Sequence, residues 1–165
     1  MFRRKNPHDA FAAALYTSTA ERARDRFLFE QCAIPDTLDG RFDALALLAA
    51  LMIERLRREP DGEELSQAFF DAMFRHLDLT LREIGVQDLG VGRRIKIMAE
   101  GFQGRALAYR SAVASEEPGQ LNEALRRNAY GGRPPADPAA VAALEDYVRS
   151  EVARLAATPR NALIK

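Results

Sequence analysis

Hydrophobic residues recur every three or four positions along most of the chain, which is the period of an amphipathic α-helix. The most regular run comprises Leu65, Phe69, Met73, Leu77, Leu81 and Ile84. A second run comprises Val91, Ile95, Met98, Phe102, Tyr109 and Val113. No stretch alternates β-branched and polar residues as a half-buried strand does. The pattern therefore predicts an all-α protein, a single irregular or orthogonal bundle of about six or seven helices.

Start and stop signals divide the first half of this pattern into elements. A short helix is predicted over 9–16. Ser18 and Glu21 then form a capping-box pattern, which predicts that a second helix begins there. A third helix is predicted over 39–58, and the Pro-Asp-Gly sequence at 60–62 predicts a turn into the fourth.

The second half carries equally local signals. Gly85 follows the apolar run of the fourth helix, at the position where glycine commonly ends a helix. A fifth helix follows, and a sixth is predicted to begin near Pro118. Asp137 and Pro138 are typical of the N-cap and first turn of a helix, here the last one.

These elements predict one helical domain over 9–158. Residues 1–8 precede the first helical signal, and we expect them to be a mobile N-terminus. Residues 159–165 follow the last one, and we expect a frayed C-terminus.

The fourth and fifth helices also predict specific packing. Their inner faces should bury five side chains against one another, namely Phe69, Met73, Leu77, Met98 and Phe102. Gly104 lies inside the fifth helix, where glycine costs about 1 kcal/mol relative to alanine. We therefore expect another helix or loop to approach Gly104 closely.

Composition changes this picture mainly through charge. The 165 residues are 47% hydrophobic and 29% charged, with zero net charge, which disfavours a dedicated nucleic-acid binder. However, seven acids and two arginines lie within 60–90, whereas five bases and one acid lie within 91–110. An acidic helix is thus followed by a basic one, which indicates a surface suited to charged partners.

The sequence predicts neither a membrane span nor a secretory signal. Its longest apolar run, 44–53, is half the roughly 20 residues that a bilayer span needs. The basic residues at 3–5 are not followed by the apolar segment of a secretory signal. Cys32 is the single cysteine, so it forms no internal disulfide and is predicted to be a buried apolar residue. We interpret the protein as cytoplasmic, or peripheral at the inner face of the plasma membrane.

No residue pattern predicts catalysis or a cofactor. The glycines and bases of 90–96 resemble a phosphate loop, but they lack both the preceding strand and the Gly-Lys-Ser/Thr sequence. His8 and His76 are the only histidines and have no second ligand at metal-site spacing. We therefore expect a protein that is not an enzyme and has neither a metal nor a cofactor.

One stretch is similar to a known family. It contains the sequence Asp-Leu-Thr-Leu-Arg-Glu-Ile-Gly-Val-x-Asp-Leu over 78–89, preceded by Gly-Arg-Phe-Asp over 40–43 and followed by Gly-Arg-Ala-x-Ala-Tyr over 104–109. Over roughly 10–155 the chain resembles the ubiquinol–cytochrome c chaperone family, in its bacterial form. It departs from the family pattern at Leu48, Arg75, His76 and Gln103, where that pattern favours histidine, two acidic residues and tyrosine.

The resemblance implies a non-enzymatic chaperone that assembles the respiratory bc1 complex (ubiquinol–cytochrome c reductase). Its client would be a membrane subunit such as cytochrome b, with room for a second assembly factor, no nucleic acid and at most peripheral membrane contact. The residues expected on the client-binding surface are Asp78, Arg82, Glu83, Asp88, Lys96, Arg105 and Tyr109. For Arg82, Glu83 and Asp88, the alternative is a purely structural role at the turn after the fourth helix.

Two other functions stay open at this point. The phenylalanines could enclose a small molecule or a haem, for which His76 is the axial ligand inside a well-predicted helix. The basic fifth helix could instead bind nucleic acid or another anion, which would give a steep dependence of affinity on salt.

Overall fold

The computed structural model describes residues 6–165, which form seven α-helices, one short 3-10 helix and no β-strand. The helices are α1 (Asp9–Arg22), α2 (Arg26–Glu30), α3 (Leu38–Leu56), α4 (Gly62–Glu83), α5 (Asp88–Ala114), α6 (Gln120–Asn128) and α7 (Pro138–Ala157), and the 3-10 helix is Arg160–Ala162. The prediction of an all-α bundle of about six or seven helices is confirmed. Most of the N-terminal segment predicted to be mobile, residues 1–5, lies outside the described residues.

Helix α3 is the centre of the bundle. Every residue from Ala44 to Ile53 is buried, and α3 packs against α1, α4, α5 and α7. A helix that is apolar on all sides is stable only when other elements surround it. The longest apolar run of the sequence is therefore the core of the protein.

The predicted helix start at Ser18 is wrong, because α1 continues through it to Arg22. Thr17 and Thr19 donate their hydroxyls to the carbonyls of Ala13 and Leu15, four residues back. These bonds satisfy the polar side chains inside a continuous helix. The cap of the next helix is Asp25, whose carboxylate accepts a hydrogen bond from the Phe27 amide at 3.0 Å.

Two other local predictions are confirmed. Asp137 caps α7, since its carboxylate accepts a hydrogen bond from the Ala139 amide at 2.9 Å, and Pro138 occupies the first turn. Gly85 ends α4 with φ +88°. The amides of Gly85 and Val86 donate to the last free carbonyls of that helix, which is the Schellman arrangement.

The packing predicted between α4 and α5 is confirmed only in part. Phe69, Met73 and Phe102 are buried, whereas Leu77 and Met98 are half-buried at the edge of the core. The prediction for Gly104 is wrong, because a Cβ built there would meet no atom within 4 Å. Gly104 lies on the exposed side of α5, so close packing does not offset the loss of helix stability that glycine causes relative to alanine.

The chain after α7 folds back onto the bundle. Arg160 makes two hydrogen bonds of 2.7 and 2.9 Å to the carboxylate of Asp61, and its guanidinium lies over the Phe11 ring at 5.4 Å. Leu163 is buried. These contacts hold a segment that the sequence pattern presents as a frayed end.

Candidate functional site

Three of the predicted surface residues form one ion-pair cluster at the turn between α4 and α5. Arg82 binds the carboxylate of Asp78, one helical turn back, at 2.9 Å. It also forms an ion pair with Asp88, the first residue of α5. The cluster lies at the protein surface, because all three side chains are at least one-third exposed to solvent. The paired carboxylates raise the pKa of Arg82, chiefly through the hydrogen bond to Asp78.

Glu83 and Lys96 lie near the same turn and are exposed. Neither side chain has an ion-pair partner among residues 6–165. Both charges are therefore available to a partner, in contrast to Asp78 and Asp88, whose charges are balanced by Arg82.

Tyr109 is not on the surface. It is 1% exposed, and burial holds the pKa of its hydroxyl far above the ordinary value. It belongs to the inner face of α5 with Phe102, two helical turns earlier. Its assignment to a client-binding surface is wrong, because the side chain is buried inside the bundle.

Arg105 is turned toward the protein rather than toward solvent. Its guanidinium lies 2.7 Å from a carboxylate oxygen of Asp43 on α3, and it stacks over the Phe42 ring at 5.6 Å. The Asp43 side chain is only 5% exposed. Burial raises the pKa of Asp43, although the charge of Arg105 and a backbone hydrogen bond from Gly131 oppose that rise.

Two other bases of α5 are also paired with α3. Arg94 binds Asp39 at 3.1 Å, and Arg110 lies 3.4 Å from Glu54. The sequence analysis missed all three acidic partners on α3. The sequence did contain a signal for this pairing. Asp39 and Asp43 are four residues apart, and Arg94 and Arg105 are eleven apart, so each pair lies on one face of its helix.

A cleft of about 660 Å³ opens beside this pairing, between α1, α2, α3, α4 and α5. Its inner wall is apolar, and its main contributors are Phe29, Phe42, Leu45, Leu77, Leu81 and Met98. Its rim carries three ion pairs, Arg26–Glu30, Arg41–Asp36 and Arg94–Asp39. Leu38 also lines the cleft and is 47% exposed. Such a cleft fits an apolar or amphipathic segment with polar ends.

The remaining candidate ligands are accounted for by local contacts. His76 lies at the edge of this cleft, where its Nδ1 is 3.2 Å from the Tyr16 hydroxyl. Within residues 6–165, no three His, Cys, Asp or Glu side chains are grouped as metal ligands. Phe70, Phe74 and Phe102 pack on one another with ring centroids 4.6 to 6.1 Å apart, as a core cluster does.

None of the helices in the described part of the chain combines the length and apolarity needed to cross a bilayer.

The fold and these surfaces define an all-α protein with an apolar cleft, and comparison with known proteins identifies its family. Residues 30–165 match the family model described as "Ubiquinol-cytochrome C chaperone". The chain belongs to this family.

Three curated relatives and one solved structure agree with that assignment. The chain is similar to ubiquinol-cytochrome-c reductase complex assembly factor 1 of Xenopus laevis, with 25% identity over 142 residues, which are 86% of this chain and 70% of the relative. The proteins of the same name in Mus musculus and Homo sapiens are 25% and 26% identical, and the match spans only about half of their length, 48% and 47%. The crystal structure of the Cbp3 homolog from Brucella abortus is 32% identical, with a TM-score of 0.77 over 99% of this chain and 90% of that one.

Proposed function

We propose that this chain is a non-enzymatic assembly chaperone for the ubiquinol–cytochrome c reductase (bc1) complex and that cytochrome b is its client. Family membership and the names of the relatives support the first part of this proposal. The apolar cleft with its charged rim supports a client that is an extended or helical segment of a membrane protein. The protein would act by reversible binding on the cytoplasmic side of the membrane.

The cleft is the observation that carries the proposal. Its apolar wall would cover hydrophobic residues of the client. The ion pairs of its rim face water and would limit non-specific association of the cleft with other apolar surfaces. Leu38 stands at the open edge, where a bound segment would contact it. Loops of membrane proteins that face the cytoplasm are rich in lysine and arginine. The exposed carboxylate of Glu83 at the α4–α5 turn, which has no ion-pair partner among residues 6–165, would engage such loops.

The contribution of the cleft is tested with Leu38→Glu. The substitution places a charge where the client would bury apolar surface, whereas it costs the fold little because Leu38 is already half exposed and begins α3, where an acid is favourable. We expect captured cytochrome b to fall by at least about tenfold, since the lost burial is worth 1.5 to 3 kcal/mol for a leucine. The measurement is co-purification of cytochrome b from cells that express each variant, quantified by mass spectrometry. A Leu38→Glu protein that captures cytochrome b normally would show that the client binds elsewhere.

The contribution of the α4–α5 turn is tested with a double charge reversal, Asp88→Lys with Lys96→Glu. Exposed charges contribute within about 1 kcal/mol to folding, so the melting temperature should hardly change. Like charges facing each other in an interface cost several kcal/mol, so captured cytochrome b should fall by tenfold or more.

The matched control is Glu123→Lys with Arg127→Glu, which reverses an exposed ion pair on α6 that takes no part in the cleft. It should capture cytochrome b as the unaltered protein does. If the Asp88 and Lys96 variant unfolds, those residues are structural. If a strain that lacks the protein still assembles active bc1 complex, the proposed function itself is wrong.

A further inference from the structure

The α4–α5 turn is exposed to solvent and carries large apolar side chains. Of residues 82–90, eight are exposed and only Val86 is half-buried. Leu89 is 95% exposed and Ile84 is 56% exposed. Isolated exposed leucines are common, but here two large aliphatic side chains stand at the end of one hairpin, where no other element of residues 6–165 covers them.

The first turns of α5 combine these apolar side chains with free positive charge. Leu89, Arg93, Lys96 and Ile97 are spaced by four, seven and eight residues, which places them on one face of the helix. Arg93 and Lys96 have no carboxylate partner among the described residues, although the bases on the inner side of α5 are paired with α3. This face therefore presents leucine and isoleucine together with two available cations.

We propose that this turn is a membrane-contact site, which inserts Ile84 and Leu89 into the interfacial layer of a bilayer that contains anionic lipids. Amphipathic elements bury their apolar side chains about 5 to 10 Å into the boundary between headgroups and acyl chains. At 1.5 Å per residue, Arg93 and Lys96 stand about 6 and 10 Å behind Leu89 along α5. Their side chains then reach the level of the lipid phosphates while Leu89 lies below it.

The order of apolar and charged side chains at the turn favours a bilayer over a protein groove as the occupant. The turn ends in exposed aliphatic side chains, with the cations of α5 behind them, and this order matches the order of acyl chains and phosphates in a membrane. Arg82 balances Asp78 and Asp88, so these two acids do not oppose anionic headgroups. Among the described residues, Glu83 is the unpaired carboxylate next to the tip, and its negative charge should weaken the contact.

This inference goes beyond the proposed client and does not depend on it. Leu81 and Arg94 line the cleft and flank the turn on α4 and α5, so the cleft begins within a few residues of the tip. Insertion of the tip would therefore hold the cleft at the membrane surface, where segments of a membrane protein emerge.

The test is flotation of the purified full chain with phosphatidylcholine vesicles that contain or lack phosphatidylglycerol. The unaltered protein should float with the anionic vesicles, and less of it should do so at high salt. Ile84→Ser with Leu89→Ser should lower the vesicle-bound fraction by at least about tenfold, because two aliphatic side chains no longer enter the interface. Arg93→Gln with Lys96→Gln should lower the affinity for anionic vesicles by about fivefold or more per charge and leave the neutral vesicles unaffected.

The matched control is Leu107→Ser, which removes a 64% exposed leucine from α5 at a point five turns away from Leu89. It should float as the unaltered protein does, whereas Glu83→Gln should float more. All of these positions are exposed, so the variants should have the melting temperature of the unaltered protein. Thermal unfolding checks this.

Two results would overturn the inference: an unaltered protein that remains unbound to both kinds of vesicle, or an Ile84→Ser, Leu89→Ser variant that floats equally well. Client capture in detergent solution requires no bilayer. A protein that captures cytochrome b there but never floats would refute the membrane contact alone.

Discussion

Gly40→Ala should destabilise the protein more than any other substitution of a glycine by alanine in the bundle. Gly40 lies in the first turn of α3, where its amide donates to the hydroxyl of the cap residue Thr37 at 3.1 Å. A Cβ at this position would stand 1.8 Å from the carbonyl oxygen of Pro35. Backbone atoms cannot rotate away as a side chain does, so either the Pro35 loop or the start of α3 must move.

Overpacking of this kind costs typically 1 to 3 kcal/mol and more where backbone must shift. We expect about 3 kcal/mol or more here, which lowers the melting temperature of a protein of this size by roughly 10 °C. The measurement is thermal unfolding followed by circular dichroism.

Gly104→Ala is the control, because it makes the same chemical change inside a helix where the new Cβ meets open space. It should be neutral or raise the stability by up to about 1 kcal/mol, the difference in helix propensity. If both variants melt with the unaltered protein, the approach of Pro35 to α3 is not the constraint described above.

Arg105→Met should cause the second large loss. It removes the partner of Asp43 and leaves a buried carboxylate without a compensating charge, which costs about 3 to 5 kcal/mol. Methionine keeps much of the volume and packing of the arginine stem, so the loss reports the charge rather than a cavity.

The loss should depend on pH in a defined direction. Burial raises the pKa of Asp43 in the folded protein, so the folded state holds this proton more tightly than the unfolded chain does. The contribution of Asp43 to the free energy of unfolding therefore decreases as the pH rises from the pKa of the unfolded chain to the higher pKa of the folded protein. Without Arg105 the pKa of Asp43 rises further, so the difference between variant and unaltered protein should be largest at neutral pH and smaller in mild acid.

Urea denaturation at neutral and mildly acidic pH measures this difference. Asp43→Asn combined with Arg105→Met removes the carboxylate as well. The double variant should be more stable than Arg105→Met at neutral pH and should lose the pH dependence. An Arg105→Met protein with the same deficit at both pH values would contradict the interpretation.

Predictions from sequence succeeded where the cause of a structure lies within a few residues. The caps at Asp137 and Gly85 depend on neighbouring backbone groups, and the apolar period of α3 and α4 reports which sides must be covered. The signal at Ser18 is equally local, but it was overruled. Helix α1 buries Ala12, Leu15, Tyr16 and Thr19 on one continuous face, and packing of that face on α4 stabilises the helix through Ser18.

Contacts between distant segments could not be predicted in this way. The pairing of Arg105 with Asp43 joins residues 62 positions apart, and it turns the side chain of a predicted surface residue toward the core. Gly104 has open surroundings, whereas Gly40 lies against the backbone of Pro35. Which elements approach a glycine cannot be predicted from composition. For the proposed docking surface, the sequence indicated the charges around the α4–α5 turn. The apolar cleft could not be predicted, because residues from five helices form it.

The position of Cys32 makes the protein suited to site-specific labelling. Its side chain is fully buried, Tyr130 donates a hydrogen bond to its carbonyl at 2.8 Å, and burial raises the pKa of the thiol to about 11. Very little of the Cys32 thiol is ionised at neutral pH, so it should react very slowly with maleimide reagents. A cysteine introduced at Leu38 or Leu89 would then be the single reactive thiol of the chain, and a fluorophore or crosslinker attached there would report separately on the cleft and on the tip of the α4–α5 turn.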